Sequence, residues 1–126
     1  MVGAYLVVVA LLLGSFINMA ADRLPRGESL VRPRSRCRRC ARVLNAVDLV
    51  PVAGYLVRSG RCASCRAPIG VVSPLVEAIA GGCMLAPLVT LGLRPGALLG
   101  FALVALLGLA VVGFNVARWR RVFELR

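Results

Sequence analysis

The sequence predicts an all-α integral membrane protein with three transmembrane helices and a small cytoplasmic, zinc-ribbon-like loop domain built on four cysteines. Of its 126 residues, 60% are hydrophobic, whereas soluble globular domains average about 45–50%. The apolar residues form long blocks, the first and last of which carry no charge, and an arginine-rich segment separates the first block from the others. Four of the five cysteines lie in that segment as two Cys-x-x-Cys pairs.

Three apolar stretches are long enough to cross a bilayer. A transmembrane helix needs about 20 predominantly apolar residues, and residues 1–21, 71–93 and 95–117 meet that requirement. The link between the last two contains Gly92 and Pro95, and a link this short joins antiparallel neighbours. Residues 22–70 then form the cysteine loop domain, and residues 118–126 form a basic tail.

The arginines predict the orientation of the chain. The sequence has 16 basic residues, all arginine: 11 lie in residues 22–70, 4 in residues 118–126 and one, Arg94, in the short link. Basic residues are retained in the cytoplasm, so we expect the N-terminus outside and the loop and C-terminus inside. The alternative for the first stretch is a cleaved secretory signal, with the cysteines outside as disulfides, but Met1-Val2-Gly3 lacks a signal's basic start.

The two Cys-x-x-Cys pairs predict a metal site. Each pair places two thiolates on one turn, and two facing turns complete a four-sulfur tetrahedron of the kind that holds structural zinc. The expected ligands are Cys37, Cys40, Cys62 and Cys65. Iron in the same shell, disulfides and unligated thiols are the alternatives. Cys83 lies within the second apolar stretch and is interpreted as a packing residue.

The rest of the loop is predicted from its caps and its charge. Residues 48–60 are expected to form one short helix, with Asp48 as its N-cap and Gly60 just after its end. Nucleic acid is not expected as a partner, because Tyr55 is the only aromatic residue of the loop and no recognition helix accompanies the arginines. Membrane topology and attraction to anionic membrane lipid account for the charge.

Polar residues at the loop end of the first two helices are candidates for a structural role. Asn18, Arg23 and Glu77 lie at or near these ends. An unpaired carboxylate in a membrane costs several kcal/mol, so we expect Glu77 to pair with Arg23 or Asn18, unless the second helix begins late and leaves Glu77 among the headgroups. Small residues at four-residue spacing predict close helix packing; they are Ala78, Gly82 and Ala86, and then Gly96 and Gly100.

A series of motifs runs through residues 14–80. They are Gly14-Ser15-Phe16-Ile17-Asn18, Arg23-Leu24-Pro25, Pro33-Arg34-Ser35-Arg36-Cys37 with Cys40, Asp48-Leu49-Val50-Pro51, Gly60-Arg61-Cys62 with Cys65, and Pro74-Leu75-Val76-Glu77. In this order they resemble the N-terminal part of bacterial type IV prepilin peptidases. The resemblance implies a protein of the bacterial inner membrane and, as partners, the leaders of type IV prepilins or type II secretion pseudopilins. It also implies methylation of the cleaved N-terminus with S-adenosylmethionine, an activity associated with this cysteine module.

The peptidase activity of that family requires two aspartates that share a proton. By resemblance the first would stand at Asn115, and an amide is neither acid nor base near neutral pH; the second would lie beyond Arg126. We therefore expect no catalytic residue in this chain. The expected function is a stand-alone module that docks prepilin leaders or takes part in their processing. The alternatives are an N-methyltransferase and one half of a split peptidase whose aspartates are on a separate subunit.

Overall fold

The computed structural model describes residues 1–32 and 34–125 and is almost entirely helical. Three long helices are joined by the cysteine loop and by one tight turn. In chain order the helices are α1 (Val2–Arg23), which continues into a short 3-10 turn at Leu24–Arg26, α2 (Ala46–Leu49), α3 (Ala53–Val57), α4 (Val72–Leu91) and α5 (Leu93–Glu124). The only β structure in the described part of the chain is a pair of isolated bridges in the loop.

The long helices α1, α4 and α5 all pack against one another and enclose a small core. The core consists of Ala10, Ala80, Met84 and Val104. Most other apolar side chains of these helices point outward, including Leu98, Leu106 and Leu109. All three helices are long and apolar enough to cross a membrane, so the outward side chains suit a lipid solvent. The predicted architecture is therefore confirmed, and the chain is a multi-pass membrane protein.

Small residues bring the three helices close together, but only some of them were predicted correctly. A Cβ added at Gly14 would lie 2.9 Å from the Ala80 Cβ, and one added at Gly96 would lie 2.5 Å from the Pro87 carbonyl oxygen. The predicted role of Gly96 is thus confirmed. The stripe predicted on α4 is wrong: Ala78, Gly82 and Ala86 are exposed, and a Cβ at Gly82 would meet nothing within 4 Å. The packed face of α4 is instead the one that carries Ala80 and Met84.

Helix α5 is longer than the predicted third span. The turn before it is made by Gly92 alone, whose φ of 83° belongs to the left-handed region. The helix has 32 residues and is therefore about 48 Å long, whereas a bilayer core is about 30 Å thick. Its final turns include most of the predicted tail. There the Trp119 ring lies 5.0 Å from that of Phe123 and 6.0 Å from the Arg26 guanidinium. Arg126 lies outside the described residues.

The segment predicted as one helix forms two. Asn45, not Asp48, is the N-cap of α2, and Asp48 occupies the third position of a reciprocal capping box with it. Helix α2 stops because Val50 precedes Pro51, which disfavours a helical conformation in the residue before it, and Val50 is extended with ψ of 120°. A second helix, α3, then ends before Gly60, whose φ of 67° is left-handed as expected.

Candidate metal centre and the adjoining crevice

The first cysteine pair lies on a tight turn closed by backbone hydrogen bonds. The Cys37 N–H donates to the Arg42 carbonyl at 2.9 Å, and the Ala41 N–H donates to the Cys37 carbonyl at 3.0 Å. Ala41 has a left-handed φ of 59°, which turns the chain back. A β-bridge between Arg36 and Val43 holds the two arms of the turn together. Pro33, at the start of the corresponding motif, lies outside the described residues.

The second cysteine pair repeats this geometry. The Cys62 N–H donates to the Ala67 carbonyl at 2.9 Å, and the Arg66 N–H donates to the Cys62 carbonyl at 3.1 Å. Arg66 has the same φ of 59° as its counterpart in the first turn, and a bridge between Arg61 and Pro68 joins the arms. The four cysteines are therefore carried by two equivalent turns, residues 35–44 and residues 60–69.

The two turns bring four sulfur atoms together. The Sγ atoms of Cys37, Cys40, Cys62 and Cys65 all lie within 4.8 Å of one another. Cys37 and Cys65 are 3.6 Å apart, and Cys40 and Cys62 are 3.8 Å apart. Four sulfurs at 2.3 Å from a tetrahedral metal ion are about 3.8 Å from each other, whereas bonded sulfurs are about 2.05 Å apart. The cluster therefore fits a metal ion with four thiolate ligands, and Cys83 lies apart from it against the bundle core.

The turns favour thiolate at some of these positions. The backbone N–H groups of Cys65 and Ser64 lower the pKa of Cys62 to about 6, although burial opposes the shift. N–H groups of its own turn likewise lower the pKa of Cys37. The Ala67 N–H also lowers the pKa of Cys65, but burial and the neighbouring thiols outweigh it and raise that pKa to about 11. The cluster thus resists full ionisation until a cation is present, as expected of a metal site.

Asp48 ties the first cysteine turn to the end of α3. Its carboxylate, with only 7% of the side chain exposed, accepts from Arg42 Nη2 at 3.0 Å and from Arg58 Nε at 2.7 Å. It also accepts from the Asn45 N–H at 3.0 Å. Burial raises the pKa of Asp48, but the Asn45 N–H and the two arginines lower it further, so the net shift is downward. The sequence motif marked Asp48, but its two arginine partners are six and ten positions away and carry no sequence signal.

Glu77 anchors the loop to the bundle. It lies in the second turn of α4 and is 7% exposed. Its Oε2 accepts from the Val52 N–H at 2.7 Å, and its Oε1 accepts from the Ser73 hydroxyl at 3.4 Å. The hydrogen bonds of Glu77 found among the described residues go to neither Arg23 nor Asn18, and the expected late start of the helix is wrong. A partner 25 residues away in the loop satisfies the carboxylate instead.

Val52 adopts a strained backbone conformation to make this contact. Its φ is 59° and its ψ is −52°, and the Ala53 N–H donates to the Pro51 carbonyl at 2.5 Å across it. This is a γ-turn of the rare, strained kind, and positive φ is unusual for a β-branched residue. Strain of this type persists only where surrounding contacts hold it. Here the contact is the Glu77 carboxylate.

A second polar contact joins the loop to the end of α1. Asp22 accepts from Arg26 at 3.0 Å and from Arg38, in the first cysteine turn, at 2.6 Å. Arg23 donates to the Ser29 carbonyl at 2.9 Å. The end of α1 and the start of α4 therefore each hold one part of the loop.

A crevice of about 730 Å³ lies between the loop and the ends of the helices. Its lining includes the predicted residues Asn18, Arg23, Glu77 and Asn115, together with Cys37 and Cys62 of the cluster and several loop arginines. The Asn115 Nδ2 donates to the Val111 carbonyl at 3.0 Å. The structure thus brings the polar helix-end residues to one place beside the metal site. Sequence reasoning found these residues but not the crevice, because it is formed by the docking of the loop.

Comparison with known proteins identifies the family of this chain. Residues 8–91 match the family model described as the bacterial peptidase A24 N-terminal domain. Several similar proteins carry the name prepilin leader peptidase/N-methyltransferase, and three of them show the extent of the match. The one from Myxococcus xanthus is 44% identical over 61% of this chain and 23% of its own length. The one from Burkholderia pseudomallei is 34% identical over 82% of this chain and 42% of its own length. The one from Bacillus subtilis is 36% identical over 59% of this chain and 30% of its own length.

The matched region holds the features just described. It includes both cysteine turns, Asp48 and Glu77, whereas all of α5, with Asn115, lies outside it. The chain spans less than half the length of these curated relatives. No solved structure matches it. Since the family model covers two thirds of its residues, the chain belongs to the bacterial peptidase A24 N-terminal domain family.

Proposed function

We propose that residues 1–126 dock type IV prepilin or type II secretion pseudopilin leaders at the membrane surface without cleaving them. The crevice beside the four cysteines carries this proposal, because it lies where a chain leaving the bilayer would meet the loop domain. The names of the relatives mention the prepilin leader, and the pseudopilin leader comes from the motif resemblance.

The carboxylates of the chain argue against proteolysis by these residues alone. A peptidase of the aspartic type needs two carboxylates that share a proton near the scissile bond. Asp22 is paired with Arg26 and Arg38, and Asp48 is paired with two arginines within the loop. Asn115, which lines the crevice, can donate and accept hydrogen bonds but cannot exchange a proton at neutral pH.

The experiment is a binding and cleavage assay on one sample. The detergent-solubilised protein is mixed with a prepilin peptide that carries a photo-crosslinker after its leader, and cross-links are mapped by mass spectrometry. We expect cross-links to crevice residues such as Asn18 and Asn115, and an intact peptide. Arg94, at the far end of the bundle, serves as the internal control and should not be cross-linked. Leader cleavage by the purified chain would contradict the proposal.

A second candidate is methyl transfer to a cleaved pilin N-terminus. It is favoured by the relatives' printed name, which includes N-methyltransferase, and by the presence of the cysteine turns within the matched region. The chain has no glycine-rich nucleotide motif for S-adenosylmethionine. Transfer of a labelled methyl group to a pilin peptide, lost in Cys37→Ser, would establish this activity.

A split enzyme would reconcile docking with the relatives' peptidase name. In that case a separate subunit would supply the aspartates and would pack in the membrane against the exposed apolar side chains of α5, such as Leu106 and Leu109. Cleavage that requires both the chain and a second protein with two helix-end aspartates would distinguish this arrangement from docking alone.

We further propose that the metal is zinc and that the loop faces the cytoplasm of the inner membrane. Zinc is the usual occupant of closed four-thiolate sites, where it has a structural role and leaves no position for substrate. The cytoplasmic orientation rests on the arginines, 15 of which lie in the loop domain and the tail. Metal analysis of the purified protein tests the first point.

A further inference from the structure

The crevice carries more positive charge than its own carboxylates balance. Among the described residues, seven arginines and three carboxylates line it. All three carboxylates are already engaged: Asp22 and Asp48 by arginines, and Glu77 by the Val52 N–H and the Ser73 hydroxyl. Neither Arg36 nor Arg39, which both line the crevice, takes part in the ion pairs found among the described residues. The unbalanced positive charge therefore lies on the side of the crevice formed by the loop domain, which we call the loop wall.

Arg42 shows where this wall lacks an acceptor. Its Nη2 donates to Asp48, but its Nη1 is buried and has no hydrogen-bond partner among the described residues. Buried donors are nearly always satisfied in proteins, and an exception calls for a missing partner. Because Arg42 lines the crevice, a rotation of its guanidinium would bring Nη1 within reach of an acceptor atom of a molecule bound there.

The setting favours a phosphate group as the acceptor. A phosphate presents several anionic oxygens, which suit more than one guanidinium at a time. Residues Ser15 and Met19 of α1 also line the crevice, and Leu12 and Phe16 on the same stretch are half exposed. An acyl chain can lie against Leu12, Phe16 and Met19 while the headgroup of the same lipid enters the crevice.

We propose that the loop wall of the crevice is a phosphate-binding site centred on Arg42, which takes the phosphate of an anionic phospholipid or a free phosphate. The inference does not rest on prepilin docking, because it concerns the arginine wall and not the helix-end residues. Such a site would hold the loop domain against the membrane surface independently of any protein partner.

The test measures lipid binding to the metal-loaded protein by native mass spectrometry in a neutral detergent. Phosphatidylglycerol is titrated against phosphatidylcholine, and inorganic phosphate is titrated separately. We expect phosphatidylglycerol to bind more tightly than phosphatidylcholine, and Arg42→Gln to weaken it about fivefold, the effect of one arginine at an anionic surface. Arg66→Gln is the matched control, since Arg66 is an exposed loop arginine that does not line the crevice; it should change the affinity less than twofold.

Each outcome decides the proposal. Selective binding of inorganic phosphate that depends on Arg42 would support the site with a soluble source, and selective binding of phosphatidylglycerol would support a lipid source. Equal losses in both variants would mean general charge attraction and would overturn the proposal, as would tighter Arg42-dependent binding of an oligoglutamate peptide. If Arg42→Gln loses its metal or its helix content, Arg39→Gln replaces it, because Arg39 lines the crevice and is exposed.

Discussion

The loop domain depends on two kinds of side chain, the clustered cysteines and Asp48. The cysteine turns are short and bury one side chain, Cys62. With so little apolar burial, the free energy that keeps the turns together must come largely from a bound metal and from ion pairs. Single substitutions at these positions should therefore have large effects.

Replacement of one ligand should abolish metal binding. In Cys37→Ser the four-sulfur shell loses a thiolate, and a neutral hydroxyl is a poor substitute, so we expect metal content to fall from about one ion per chain to near zero. Cys83→Ala is the control and should retain the ion, because Cys83 packs against the bundle core. Elemental analysis of the purified proteins measures both. Full metal retention in Cys37→Ser would show that the four sulfurs are not one site.

The stability contributed by Asp48 should depend on pH. Asp48→Asn removes the charge that two arginines and a backbone N–H surround, so we expect a loss of about 2–3 kcal/mol at neutral pH. The folded pKa lies below the ordinary value of 3.8. The contribution is therefore complete above about pH 5 and is lost as the pH falls through the folded pKa.

This difference can be measured as thermal unfolding of the loop in wild type and Asp48→Asn between pH 7 and pH 3. Metal release at acid pH affects both proteins, so the difference between their unfolding temperatures (the gap) reports the contribution of the Asp48 carboxylate. This gap should narrow below about pH 4. Glu28→Gln, at a half-exposed carboxylate 4.0 Å from Arg26, should show almost no gap. A gap that widens on acidification would contradict the assignment.

At the scale of elements, one hydrogen bond fixes the loop to α4. Glu77→Ala leaves the Val52 N–H without its acceptor and releases the strained turn at Val52. We expect faster amide exchange across residues 50–57, with the metal retained because neither residue is among the four candidate ligands. Glu77→Gln keeps an acceptor oxygen and should preserve most of the protection.

Hydrogen exchange followed by mass spectrometry gives this measurement. Ser73→Ala is a useful companion, since Ser73 makes only the longer contact to Glu77 at 3.4 Å, and it should have a smaller effect. Unchanged exchange in Glu77→Ala would mean that the loop is held by the Asp22–Arg38 ion pair alone.

The elements also show what could be predicted from the sequence. The long helices follow from long apolar stretches, and the metal cluster follows from cysteine spacing, so both were predicted. The break at Val50 could also have been found, because the proline after it carries a recognised local signal. The partner of Glu77 could not have been predicted, because it is the backbone N–H of Val52. Val52 has a positive φ, and a β-branched residue is not expected to adopt one. The exposed face of Ala78 and Gly82 shows that small residues alone do not determine which face is packed.

For the whole molecule, the loop, the start of α4 and the end of α5 gather at one end of the bundle, and Arg94 lies at the other. We expect the Arg94 end outside the cell. In a Cys83→Ala background, a cysteine introduced at position 94 should react with a membrane-impermeant maleimide in intact cells. A cysteine introduced at position 120 should react only after permeabilisation. The reverse pattern would invert the proposed orientation.

The repetition within the loop bears on how the metal site assembles. Each turn supplies two sulfurs and has the same backbone shape, and neither half alone can satisfy a tetrahedral ion. A partly depleted preparation should therefore divide into fully loaded and fully empty molecules, with no half-liganded species between them. In each molecule the loop domain would then be either fully assembled around its metal or not assembled. The supply of metal would change only the proportion of the two forms.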